Sequence, residues 1–123
     1  MAIGEGSIVC AGAVMTTDIA IGRHVQIHVN ATVGHDTTLG NFVTIAPGAN
    51  VSGRVEIGEG AFVGVGAVIV PDIKIGRWSI VGAGAVVTKD VPSDVTVAGS
   101  PAKLIAERPP GWHLDPSRER QRL

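Results

Sequence analysis

Every sixth residue from Ile3 onward is a large aliphatic: Ile3, Val9, Met15, Ile21, Ile27, Val33, Leu39, Ile45, Val51, Ile57, Val63, Ile69, Ile75, Val81 and Val87. Ile, Val, Leu and Met make up 36 of the 123 residues. Chance placement would produce this run at odds of roughly 10⁻⁸. Four residues after each aliphatic stands a second regular set, from Ser7 and Ala13 to Ala85 and Val91, mostly small and never charged. A period of six matches neither a helix nor an alternating strand. It fits a short strand plus a bend, repeated. Three such units close a triangular coil of 18 residues, and successive coils stack as parallel strands about 4.8 Å apart. The aliphatics then point inward in three columns: Ile3/Ile21/Leu39/Ile57/Ile75, Val9/Ile27/Ile45/Val63/Val81 and Met15/Val33/Val51/Ile69/Val87. Residues 3–92 hold 15 hexads, or five coils, of an all-β parallel β-helix.

Composition agrees with a narrow core. Hydrophobic residues are 45% of the chain, yet aromatics are 3% and Tyr is absent. Val (18) and Ile (12) far outnumber Leu (4), and Gly is 17 of 123, about twice the usual ~7% share. Helical bundles use Leu and avoid Gly; strands of β-branched residues joined by tight Gly turns suit these numbers. Ten basic against eleven acidic residues give a net charge of -1, which offers no electrostatic reason to expect nucleic acid or an anionic membrane as partner. Cys10 is the single cysteine, so neither an internal disulfide nor a Cys-based zinc site is available. No apolar run approaches the ~18 residues of a membrane span, and no secretory signal is visible at the N-terminus. A cytoplasmic protein is expected.

Beyond the last hexad, five prolines from Pro92 to Pro116 punctuate the chain. Residues 93–106 are expected to pack as an extension capping the last coil, and 107–123 to form a flexible, solvated tail. His113 falls in that tail and carries no expected role. At the other end the repeat starts at residue 3 without a cap, so the first coil presents an open core. That favours a chain from which an N-terminal part is missing.

The inward positions leave no room for chemistry, so function must lie on the outside. His24, His28 and His35 fall within 12 residues. Their spacings of 4 and 7 do not match the multiples of 18 that ligands converging from stacked coils need, so no metal site is expected. His35 is the better candidate. It stands at a bend, in the hexad VGHDTT, with Asp36 next to it. A His with a carboxylate has the ingredients of a general base: an ordinary pKa near neutrality and an acceptor that selects the tautomer. Neighbouring side chains of an extended chain diverge, however, so a polar surface turn is equally compatible with the dipeptide alone. Trp78, Phe42 and His24 share one outward column, which suggests a subunit contact or a ligand contact.

The segments NATVGHDTTLGNFVTIAPGANVSGRVEIGEGAFVGVGAVIVP (Asn30–Pro71) and GAGAVVTKDVPSDVTVAGSPAK (Gly82–Lys103) resemble one branch of the hexapeptide-repeat acyltransferases, the sialic acid O-acetyltransferases and bacterial nucleotide-amino-sugar N-acetyltransferases. The likeness covers about residues 3–105. It implies a left-handed parallel β-helix, a handedness that the period does not supply and that opposes the usual crossover rule. It further implies acetyl-CoA as acyl donor, a homotrimer with active sites between subunits, and a small-molecule acceptor bearing an amine or hydroxyl. By the same resemblance His35 is the general base and Asp36 orients it, with no acyl-enzyme. A backbone N–H near Gly53 would serve the thioester oxygen. Gly82, Gly84 and Ala85 would let the pantetheine arm lie against the coil, and Lys103 or Lys89 would meet the nucleotide phosphates. The sequence departs from the pattern at Thr44, where many members carry a second His, and in lacking the family's small N-terminal α/β acceptor domain. Two other readings stand beside this one: a non-catalytic scaffold or binding solenoid, and a relative of the gamma-type carbonic anhydrases, which the His spacing disfavours.

Overall fold

A computed structural model describes residues 1–116. Fifteen two-residue strands, from Ala2–Ile3 to Val86–Val87, recur every six residues. Each of the first twelve pairs in parallel with the strand 18 residues on, as in Ile21↔Leu39, Ile45↔Val63 and Val51↔Ile69. Three parallel faces result, so the molecule is a triangular β-solenoid of about five turns. The second residue of each strand faces the core. Ile21, Ile27, Val33, Leu39, Ile45, Val51, Ile57, Val63, Ile69, Ile75, Val81 and Val87 are all buried, and so are the small residues of the second set, such as Ala31, Ala49, Ala61 and Ala67. Pairing one large with one small inward residue fills the interior at the density that solid-like packing requires. Thr37 and Ser79 are the polar members of that second set among the buried residues. Their hydroxyls donate to the carbonyls of Ser52 and Gly76 at 3.0 and 2.6 Å, which satisfies them inside the core. In the first coil Ile3 is 52% and Val9 40% exposed.

Each pair of faces meets at a two-residue turn. The first edge is made by turns 5–6, 23–24, 41–42, 59–60 and 77–78. The second is made by 11–12, 29–30, 47–48, 65–66 and 83–84, and the third by 17–18, 35–36, 53–54 and 71–72. The second residue of every one of these turns has positive φ. Six are Gly; the others are Asp18, His24, Asn30, Asp36, Phe42, Arg54, Asp72 and Trp78. The left-handed region disfavours bulky side chains. From the second coil on, backbone hydrogen bonds hold it: the N–H of each such residue donates to a carbonyl of the coil before it, as in Asp36→Thr17, Phe42→Arg23 and Arg54→His35. Stacking therefore demands the conformation, and the residue type follows.

The glycines that follow the aliphatics behave differently from the tight-turn expectation. Gly64 does not occupy the left-handed region, but a Cβ there would lie 2.6 Å from the Val81 carbonyl oxygen of the next coil. These glycines exist because the coils approach too closely for a side chain.

After the fifth coil, strand Val95–Ala98 pairs in parallel with Ile80–Val81, and Lys103–Glu107 pairs antiparallel with Val95–Ala98. Val91, Val95 and Val97 bury against the end of the core. The expected tail divides. Residues 117–123 lie outside the described residues, whereas the segment before them packs on the first edge instead of extending into solvent. Trp112 is 3% exposed and its indole N–H donates to the Trp78 carbonyl at 3.2 Å. His113 stacks on the Trp78 indole with ring centroids 3.6 Å apart, and Arg108 lies over the Trp112 ring at 4.6 Å. A large apolar ring with one polar edge gains from burial when a carbonyl meets its N–H, and that overrides the polar composition of the tail.

Candidate active site

The third edge gathers the candidate chemistry. Asp36 has φ 56°, and this turn folds its side chain back toward the preceding residue instead of letting the two diverge. Asp36 Oδ2 lies 2.8 Å from His35 Nδ1. An ionised carboxylate only accepts, so Nδ1 is the nitrogen that carries a proton toward it, and in the neutral ring the lone pair is on Nε2. The side chains of His35 and Asp36 are about half exposed, so the ring that carries Nε2 is within reach of an incoming group. Against that nitrogen stands Gly53 of the next coil: a methyl at Gly53 would lie 2.7 Å from His35 Nε2. Gly53 is thus a floor under the imidazole.

One coil further, Arg54 donates from Nε to Asp72 Oδ1 at 2.6 Å and from Nη2 to Asp72 Oδ2 at 3.1 Å, a bidentate clamp. The hydrogen bond to Asp72, then its charge, hold the Arg54 guanidinium above its ordinary pKa, and the charge of Asp36 adds to this. Asp72 is held below the ordinary carboxylate value, first by its hydrogen bond from Arg54 and then by the charges of Arg54 and His35. Neither Arg54 nor Asp72 was expected from the sequence as part of a site. Their signal is the spacing, since Asp36, Arg54 and Asp72 are separated by one coil each.

The remaining expected residues fall elsewhere. Lys89 is exposed and follows His35, Gly53 and Pro71 in the third-edge register. Gly82 and Gly84 lie at the second edge, where Gly84 has open space around its Cα. Ala85, next to them, is fully buried, and its methyl belongs to the core column with Ala31, Ala49 and Ala67. Lys103 is exposed at the start of the last strand, opposite Ala98. Beside this region, on the face made by strands Gln26–Ile27, Thr44–Ile45, Phe62–Val63 and Ile80–Val81 (the second face), Phe62, Val65, Ile80, Gly82 and Ala83 line an apolar groove. A single chain therefore does not bring His35 together with Gly82, Gly84 and Lys103, because they occupy different edges of the prism.

The other His and aromatic residues also separate. His24 stacks on Phe42 at 5.6 Å along the first edge, while His28 lies beyond the second-face strand Gln26–Ile27 and meets Gln26 at 3.2 Å. Phe42 is 47% exposed. Trp78, in contrast, is covered from within the chain, by His113 on one side and by Gly60 on the other. Thr44 lies on the outward side of the second face, half-buried between Gln26 and Phe62. Among the described residues no helix is long and apolar enough to cross a membrane.

The family described as bacterial transferase hexapeptide (six repeats) matches residues 18–53 and 54–89. Comparison with curated proteins returned no match. Among solved structures, WeeI from Acinetobacter baumannii AYE superposes with a TM-score of 0.83 at 43% identity, over 85% of this chain and 51% of that one. The acetyltransferase domain of PglB from Neisseria gonorrhoeae FA1090, in complex with acetyl coenzyme A, gives 0.82 at 42% identity over 85% and 51%. Perosamine N-acetyltransferase from Caulobacter crescentus, in complex with CoA and GDP-perosamine, gives 0.66 at 30% identity over 82% and 57%. The chain spans about half the length of these solved structures.

Proposed function

The chain belongs to the bacterial transferase hexapeptide family, and from that premise we propose that it is an acetyl-CoA-dependent acetyltransferase acting on an amine or hydroxyl of a sugar. The observation that carries this is the His35–Asp36 couple, with Nδ1 tied to the carboxylate at 2.8 Å and the ring about half exposed. The acetyl-CoA complex of the PglB domain and the CoA and GDP-perosamine complex of perosamine N-acetyltransferase support the donor and the class of acceptor.

In this reading the acceptor attacks the thioester carbonyl as Nε2 of His35 takes its proton. The new C–N or C–O bond forms, the C–S bond breaks, and the proton passes to the departing CoA sulfur. Asp36 holds the tautomer that leaves Nε2 free and stabilises the imidazolium. Gly53 keeps space against the imidazole and lies where a backbone N–H would serve the thioester oxygen. Gly82 and Gly84 give the pantetheine arm an approach without side chains, and Lys103 or Lys89 supplies the cation for phosphate. Because these residues occupy two edges of one prism, the complete site forms between subunits of a homotrimer. The third edge of one subunit faces the second edge of the next.

Two measurements test this. Acetyl-CoA should raise the melting temperature of the protein, and His35→Ala should lower acetyl transfer at least a hundredfold while leaving CoA affinity nearly unchanged, in line with the loss of a general base. Absence of any CoA binding would replace the enzyme reading with a scaffold. Transfer that persists in His35→Ala would remove His35 as base.

A further inference from the structure

The edge that carries His35 carries one cation among three carboxylates in the 18-residue register: Asp18, Asp36, Arg54, Asp72. Neighbours on this edge are one coil apart, roughly 5 Å. The groups facing His35 can be named coil by coil. Its own coil supplies Asp36, the preceding coil Asp18, and the following coil Arg54, with Glu56 on the adjoining face; Asp72 comes one coil later. The outward strand residues beside the edge, Thr32, Thr38 and Asn50, are uncharged. Carboxylates alone around an imidazole favour the protonated ring, and a protonated ring accepts no proton.

Arg54 is placed to oppose this. Its backbone N–H donates to the His35 carbonyl at 2.8 Å, which seats it directly over the His35 turn. Its guanidinium donates two hydrogen bonds to Asp72 on the far side, which fixes its direction along the edge. We propose that Arg54 is a positioning residue for His35: held by Asp72, it balances the carboxylates of this edge and keeps the imidazole a proton acceptor at neutral pH. The pair acts through charge and touches neither substrate. This role rests on the assignment of His35 as base.

The test is an NMR titration of the His35 ring in the full chain, paired with the pH profile of acetyl transfer. In Arg54→Gln the titration midpoint of His35 should rise by about 0.3–0.6 pH unit, the shift that a unit charge 5–10 Å away produces in a water-like medium. The acid limb of the rate profile should rise with it and the alkaline plateau should recover. Asp72→Asn removes a carboxylate and should move both in the opposite direction. Arg54→Lys keeps the charge and should restore the wild-type midpoint. Raising the salt to about 0.5 M should shrink the shifts. Midpoints that stay put in Arg54→Gln, or that move the same way in Arg54→Gln and Asp72→Asn, overturn the proposal. The titration needs no acetyl-CoA. If the midpoints move as expected while no variant or wild-type protein transfers acetyl, it is the base assignment that fails and the charge balance that stands.

Discussion

At the scale of single residues, one dihedral angle decides whether His35 has a partner. His and Asp side by side in an extended chain point apart, and from the dipeptide alone a surface turn explains the pair equally well. Positive φ at Asp36 brings its carboxylate to 2.8 Å from Nδ1. Gly53 shows the same economy of space. Its missing Cβ is what leaves room for the ring, whose Nε2 would otherwise meet a methyl at 2.7 Å. Gly53→Ala should push the imidazole aside, because the obstructing atoms belong to a side chain that can move. We expect at least a tenfold loss of acetyl transfer with the melting temperature held within a few degrees, since Gly→Ala at ordinary φ tends to stabilise by about 0.4–1 kcal/mol through the unfolded state. Full activity in that variant would refute a positional role for the glycine. Arg54 and Asp72 could be read from their spacing to Asp36, but spacing does not say that a guanidinium runs along the edge instead of out into water.

At the scale of elements, the hexads were legible throughout and the turns were not. The inward columns follow from period alone, because a two-residue strand has one face in and one face out. The turns contain His24, Phe42, Arg54 and Trp78 in the left-handed region, types that propensity would not place there. What selects the conformation is the line of edge hydrogen bonds between coils, a tertiary cause invisible to local pattern. The same stacking explains the glycines that follow the aliphatics. Gly64→Ala should set a methyl against a backbone oxygen that cannot yield, at a cost of about 1–3 kcal/mol, as overpacking does. Urea unfolding with an unchanged slope and a lower midpoint would show this; an unchanged midpoint would mean that the coils can part.

At the scale of the molecule, the two ends of the solenoid differ. The first coil leaves Ile3 and Val9 substantially exposed, while the last is closed by Val91, Val95 and Val97 and then strapped by Trp112 and His113 on the first edge. Trp112→Ala should cost up to about 3–5 kcal/mol, the usual toll for a buried aromatic. Trp78 would then be the remaining tryptophan, and its fluorescence should shift toward that of an exposed indole. A spectrum and stability like those of the wild type would show that the strap contributes nothing. The sequence did not reveal this strap, because its polar, proline-rich composition describes a solvated segment and its two burying residues are far in the chain from the Trp78 they cover.

By itself, then, the sequence determined the coil, the register of 18 and the three inward columns. Inward residues are specified by a repeating hydrophobic pattern, and a slip of one residue would expose every one of them. It also located His35 at a bend and supplied the likeness that the family match bears out. Only the tertiary structure decided which outward residues meet. Asp36 turns onto His35, Gly53 lies beneath it and Arg54 is clamped by Asp72, while Ala85 is withdrawn into the core and His113 is laid on Trp78. The physical reason is that side chains on an edge carry no hydrophobic signal. Their positions come from left-handed turns and from coil-to-coil hydrogen bonds, which exist only once the chain has wound upon itself.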